Sequence, residues 1–149
     1  MSMDCREMSR QNRARSLWFS TLMDLHIKLV QLTERGNHLI VISRGLIDAA
    51  GFGQIFRKIA ENIRSLSHCM VMVDLEDAEL KIEDAEFHAI ASGLDPDLWP
   101  RTNKIALVSS DVDKFDRLCV LSQILCGMGF RVAAFREDKA AVGWLNDTI

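Results

Sequence analysis

The chain has 149 residues, 48% of them hydrophobic, and a formal net charge of −3. One domain with a substantial core fits that length, and the apolar content excludes a disordered chain. The acidic balance lacks the basic footprint from which nucleic-acid recognition starts, so no nucleic-acid partner is expected.

Residues 1–23 are polar at first and read as an N-terminal extension, partly helical or disordered, ahead of a domain over 24–149. Arg13 and Arg15 precede only the short patch Leu17-Trp18-Phe19, and Ser20-Thr21 follow at once, so the start is not a signal peptide. On a helix Trp18, Leu22 and Leu25 would share a face, which suits a segment folded back on the core. A docking helix or a membrane-surface helix is the sharper alternative, although a membrane-surface role is not expected. No apolar run approaches the roughly eighteen residues that span a bilayer. The expected location is the cytoplasm.

Ile27 to Leu32 has strand composition, Gly36-Asn37 supplies a turn, and His38 to Ser43 is a second strand. So short a link predicts an antiparallel hairpin, which Gly45 should end. Phe52, Ile55, Phe56, Ile59, Ile63 and Leu66 fall at helical spacing, with Arg57, Lys58, Glu61, Asn62 and Arg64 on the other side. Gly51 and Gly53 stand at its start, but the third glycine and the acidic ribose partner of a dinucleotide site are missing. Cys69 to Val73 is a continuous apolar run of the kind that forms a central strand. Asp74-Leu75-Glu76-Asp77 follows, and a short helix begins near Glu83-Asp84, with Phe87, Ile90 and Ala91 inward and Gly93 as its stop.

Leu94 to Thr102, with Pro96, Trp99 and Pro100, is a loop. Lys104 to Ser109 is the fourth strand. Asp111 or Asp113 caps a third helix over about 113–127, which Gly127 and Gly129 end. Phe130 to Phe135 is the fifth strand, and Asp138 caps a last helix that faces Ala141, Trp144 and Leu145 inward. The order predicts an α/β fold: a mixed, mostly parallel five-stranded sheet with an N-terminal antiparallel hairpin, flanked by four helices.

Several runs resemble the STAS superfamily, in particular its SpoIIAA-like bacterial branch. They are Val71 to Asp77, Lys104 to Ser110, and Ala140-Ala141-Val142-Gly143-Trp144-Leu145. The resemblance covers about residues 27–146 and speaks for the fold more than for a function. Antagonists of this type carry a phosphorylated Ser in an Asp-Ser-Ser/Thr-Gly element, and its place here falls near Ile82-Glu83-Asp84. No serine or threonine lies between Asp74 and His88, so that switch is not carried over. Glu83 and Asp84 put fixed negative charge at a helix start, where the dipole favours it. A permanent imitation of the phosphorylated state is a second role for them.

The chemistry-bearing residues point to no catalytic, metal or cofactor site. His26, His38, His68 and His88 are scattered, and only His88 has a ligand-type residue one turn away, Asp84. Cys5, Cys69, Cys119 and Cys126 form no CxxC pair and read as buried small apolar residues in a reducing compartment. Ser109 and Ser110 sit at a strand end, where α/β proteins often bind ligands, but neither lies in a nucleophile elbow. A hydrolase using one of them is the weakest of the functional classes.

The third helix is apolar around almost its whole circumference; only Lys114, Asp116, Arg117, Ser122 and Gln123 interrupt it. A helix on one sheet face needs a single stripe, so a second cover is expected: the N-terminal segment, a second subunit or an apolar ligand. Phe115, Leu118, Leu121, Leu125 and Met128 are the candidate interface, and Leu121 and Met128 the outward members if Phe115, Cys119 and Cys126 face the sheet. Trp99, Ser109 and Ser110 are the candidate ligand pocket. The leading expectation is a non-enzymatic regulatory or protein-interaction module, with a protein partner or a homodimer. The alternative is a carrier or sensor of a small apolar or lipid-like ligand.

Overall fold

A computed structural model describes residues 23–31, 37–63, 70–94 and 103–147. The elements are β1 (Met23–Gln31), β2 (Asn37–Asp48), α1 (Ala49–Ile63), β3 (Met70–Asp74), β4 (Ala78–Lys81), α2 (Asp84–Ser92), β5 (Lys104–Val108), α3 (Val112–Gly127), β6 (Arg131–Phe135) and α4 (Asp138–Asn146). The sheet runs β1-β2-β3-β5-β6, with β4 paired to β2 off that path. Among the described strands only β1 is antiparallel, in register from Met23↔Gly45 to Gln31↔Asn37. The expected α/β architecture is present, with a sixth strand added.

That strand depends on Gly45. The glycine was expected to end the second strand, but β2 continues to Asp48. Gly45 has φ 87°, a left-handed conformation that only glycine adopts at little cost. The chain turns there. Before the turn, β2 pairs with β3 from His38↔Met70 to Ile42↔Asp74. After it, β2 pairs with β4 from Gly45↔Ala78 to Asp48↔Lys81.

The two sheet faces differ in cover. Leu39, Val41, Val71, Val73, Ile105, Leu107 and Val132 line the first face and pack with the apolar sides of α1, α2 and α3. On the second face Ala106 and Val108 pack with Ala141 and Leu145 of α4. β5 is therefore buried on both sides along its whole length, as a central parallel strand should be.

The helix ends follow local chemistry. Asp48 Oδ1 accepts from the Gly51 amide at 2.8 Å and opens α1. The helix then buries Phe52, Ile55, Phe56, Ile59 and Ile63 as the spacing predicts, while Leu66 lies outside the described residues. Asp111 Oδ1 accepts from the Lys114 amide at 2.9 Å and caps α3. Gly129, φ 97°, closes the far end with the Phe130 amide donating to Leu125 O at 3.1 Å. One cap moves by a residue: Glu137, not Asp138, precedes α4. The buried Lys104 donates to Trp144 O at 2.8 Å and Asp147 O at 2.6 Å, satisfying carbonyls where α4 ends.

The reading of α3 is corrected. Leu118, Leu121 and Leu125 are fully buried in the main core. They fall within about 60° of arc at 100° per residue, and that arc faces the first sheet face and α2. Phe115 and Cys119 are half-buried and Cys126 is exposed, so they do not form the sheet-facing side. Of the five candidate interface residues only Met128 is exposed, at 36%; Val112 and Val120 are the other exposed large apolar residues of α3, at 53% and 41%. The second cover for α3 is supplied within the chain by α2, whose Phe87 ring lies under the Arg117 guanidinium at 5.9 Å.

Candidate functional site

The sheet order places the C-terminal ends of β3, β5 and β6 side by side, the edge at which open parallel sheets usually bind. Asp74-Leu75-Glu76-Asp77 leaves β3, Ser109-Ser110-Asp111 leaves β5, and Arg136-Glu137-Asp138 leaves β6. The ladder continues into these loops: the Leu75 amide donates to Val108 O at 2.9 Å and the Ser109 amide to Phe135 O at 3.0 Å. Asp74 Oδ1 accepts from the Glu76 amide at 3.0 Å and folds the loop into an Asx turn.

Two side chains then lock the loops together. Glu76 Oε2 accepts from the Ser110 amide at 2.9 Å, and its Oε1 accepts from Ser110 Oγ at 2.8 Å. A carboxylate thus lies against the start of α3, where the helix dipole and unpaired amides favour negative charge. From α3, Lys114 Nζ donates to Leu75 O at 2.8 Å, Glu76 O at 3.1 Å and Ala78 O at 2.5 Å. Arg117 Nη1 donates to Leu80 O at 3.0 Å. The cations bind carbonyls of β4 and of the turn before it, which has the further effect of protecting an edge strand.

The electrostatics are acidic. Burial first, then the charges of Asp74 and Glu76, push the Asp138 carboxyl above the ordinary carboxylate range. Arg44 faces Asp77 at 3.8 Å, a pair half open to water on both sides that contributes little. Burial and the charge of Asp116 hold the Cys119 thiol above its usual value, which favours the unreactive form. Cys126 donates from Sγ to Val132 O at 3.1 Å; it is exposed and not the buried apolar residue expected. Among the described residues no group of three or more His, Cys, Asp or Glu side chains is arranged to hold a metal ion.

The expected ligand pocket is not assembled from the described residues. Ser109 is buried, and its Oγ accepts from the Asp111 amide at 3.3 Å, closing the loop locally. Ser110 is engaged by Glu76, and Trp99 lies outside the described residues. His26, His38 and His88 stand on β1, β2 and α2, not on the loop that carries the serines. At the position the resemblance gives to the phosphorylated serine, Glu83 precedes α2 and its amide donates to Glu86 Oε1 at 2.8 Å. The acids there are used in capping the helix.

Sequence reasoning did not single out Glu76, Lys114 or Arg117. A signal for two of them was present. Lys114 and Arg117 interrupt an otherwise apolar helix, and a cation on such a helix needs a partner. Ser122 solves the same problem within the helix, donating from Oγ to Leu118 O at 2.8 Å.

No protein-family model matches the chain, and no curated protein matches it. A solved structure does: an uncharacterized protein from the DUF3478 family with a SpoIIAA-like fold, from Shewanella loihica PV-4. The TM-score is 0.57 at 12% sequence identity, covering 85% of this chain and 97% of that one. At that identity the likeness is one of fold: this chain has a SpoIIAA-like α/β fold.

Proposed function

We propose that this chain is a regulatory module of STAS type that acts through protein contacts and not by chemistry on a substrate. The observation that carries this reading is the pair of hydrogen bonds that Ser110 donates, from its amide and its hydroxyl, to the Glu76 carboxylate. At the sheet edge where a ligand would be expected, the chain fills the start of α3 with its own carboxylate and ties the adjoining turn to Lys114. The loops then present one shape, with Glu76, Asp77 and Asp111 exposed around it. A fixed acidic surface suits recognition of a basic protein surface, and it needs no phosphate to become negative. Self-association is the second form of the same reading.

The test is quantitative crosslinking of the full chain in its own cells, comparing wild type with Asp77→Lys. A partner recovered in fixed stoichiometry with wild type and lost with the variant supports the module. Native mass spectrometry of the same preparations reads the competing outcomes. A doubled mass assigns the surface to a second copy, and a retained small molecule overturns the proposal in favour of a carrier.

A further inference from the structure

Among the described residues the exposed large apolar side chains are Val112, Val120 and Met128, at 53%, 41% and 36%. Single exposed apolar residues are ordinary on a protein surface, but these three are not scattered. They stand eight residues apart on α3 and its C-cap. With Asp116 and Ile124 between them they make one row of i, i+4 neighbours, which runs about 24 Å along the helix. Ile124 is half-buried and packs on the main core from the side. Rows of this kind are the ridges by which helices pack against one another.

The charges that α3 itself turns outward have one sign. Its two cations are half-buried and used within the chain: Lys114 donates to the carbonyls of Leu75, Glu76 and Ala78, and Arg117 to Leu80 O. Its acids are exposed, namely Asp113, Asp116 and the capping Asp111, and so are Glu76 and Asp77 on the turn that Lys114 holds to the helix. Asp111 caps the helix and Asp113 lies in its first turn, so both have local uses. Asp116 lies a turn farther on, inside the apolar row, where the dipole offers little. A carboxylate at that place suits a partner that brings a cation beside an apolar surface.

We infer that this face of α3 is the contact surface of the module proposed above, and that it receives an amphipathic helix carrying Lys or Arg beside its apolar stripe. The inference rests on that reading. Charge selects such a partner over a second copy. A symmetric pairing of the row with itself, centred on Val120, would set Asp116 against the second copy's Ile124 and bury the carboxylate without a cation. It would also bring together the acids of both copies. A basic helix laid on the row instead seats its apolar residues on Val120, Ile124 and Met128 and a cation on Asp116.

The test uses the full chain labelled with nitrogen-15 and two helical peptides of the length of α3 that share one leucine stripe. One carries lysine on its polar face and the other glutamate. The expected result is saturable binding of the lysine peptide, weakened by salt, with amide shifts at Asp116, Val120 and Ile124 and none at Arg57 of α1 or Lys139 of α4. Asp116→Lys should weaken it about tenfold or more, and so should Val120→Ser. Both side chains are exposed, so the amide spectrum outside α3 should stay that of wild type. Equal binding of the two peptides, or shifts centred outside α3, overturns the inference. So do shifts at Val120 that grow with protein concentration without peptide, which assign the row to a second copy. Crosslinking in cells separates this inference from the reading it rests on. A partner lost with Asp77→Lys but kept with Val120→Ser leaves the module standing and removes α3 from the contact, whereas no partner with wild type overturns both.

Discussion

Glu76 and Ser110 lie 34 residues apart in sequence and are joined by two hydrogen bonds, one to the serine amide and one to its hydroxyl. The pair fastens the turn after β3 to the loop that starts α3. Replacing Glu76 by Ala removes both acceptors and leaves the Ser110 amide to water. The bonds are exposed, so the loss should be about 1 kcal/mol, below the roughly 1.5–3 kcal/mol of bonds to charged groups that are shielded from water. Hydrogen exchange should quicken at the amides of Ser110 and Glu76 while the β3 and β5 amides keep their protection. Exchange that quickens equally across the sheet would show that the pair supports the fold as a whole and not the two loops.

Lys114 should matter more. Its ammonium reaches the carbonyls of Leu75, Glu76 and Ala78, and two of those three bonds are partly buried. Lys114→Met keeps the length of the side chain and abandons three acceptors, at a cost of about 2–3 kcal/mol. Lys114→Arg should restore little, because a planar guanidinium fork does not match three converging carbonyls. Urea denaturation of the three proteins checks the order. An arginine variant as stable as wild type would show that charge, and not the tripod, is what the turn needs.

The burial of Leu121 separates a core role from an interface role. Leu121→Ala should destabilise by about 2–5 kcal/mol, the range for removing a core leucine, whereas Val120→Ala on the exposed side should change stability by less than about 0.5 kcal/mol. Leu121→Glu should unfold the chain and not yield a folded monomer, since the charge would be buried without a partner. Thermal denaturation with sedimentation of each variant decides. A folded, well-dispersed Leu121→Glu protein would place the side chain at a surface after all.

Asp138 sets a pH dependence. Its folded carboxyl sits above the ordinary carboxylate range, through burial and then the charges of Asp74 and Glu76. Folding therefore favours the protonated form: the associated stability is present in acid and is lost as pH rises through the folded value. Asp138→Asn removes that loss, so it should raise the melting temperature at pH 7 and change it little at pH 3. The helix dipole opposes this, because an acid in the first turn of α4 is favoured by a few tenths of a kcal/mol. A lower melting temperature for the variant at pH 7 would mean that the dipole outweighs burial and the repulsion from Asp74 and Glu76 together.

Much of the architecture was legible in residue order alone. Apolar runs of strand length at 69–73 and 104–109 and the helical spacing from Phe52 to Ile63 report period and length, which are local properties. The hairpin, the alternation after it and the caps at Asp111 and Gly129 are local too. Tertiary structure decided three things. β4 exists because Gly45 turns β2 toward it; four residues, Ala78 to Lys81, carry too little pattern to announce a strand without that partner. On α3 apolar residues occupy nearly the whole circumference, so periodicity could not say which arc meets the sheet, and the buried arc of Leu118, Leu121 and Leu125 emerged only with β6 and α2 in place. The lock between Glu76 and Ser110 joins loops that no spacing rule connects. Side-chain period is written within one element, whereas the direction a side chain faces and the partner it meets depend on which strands lie next to one another.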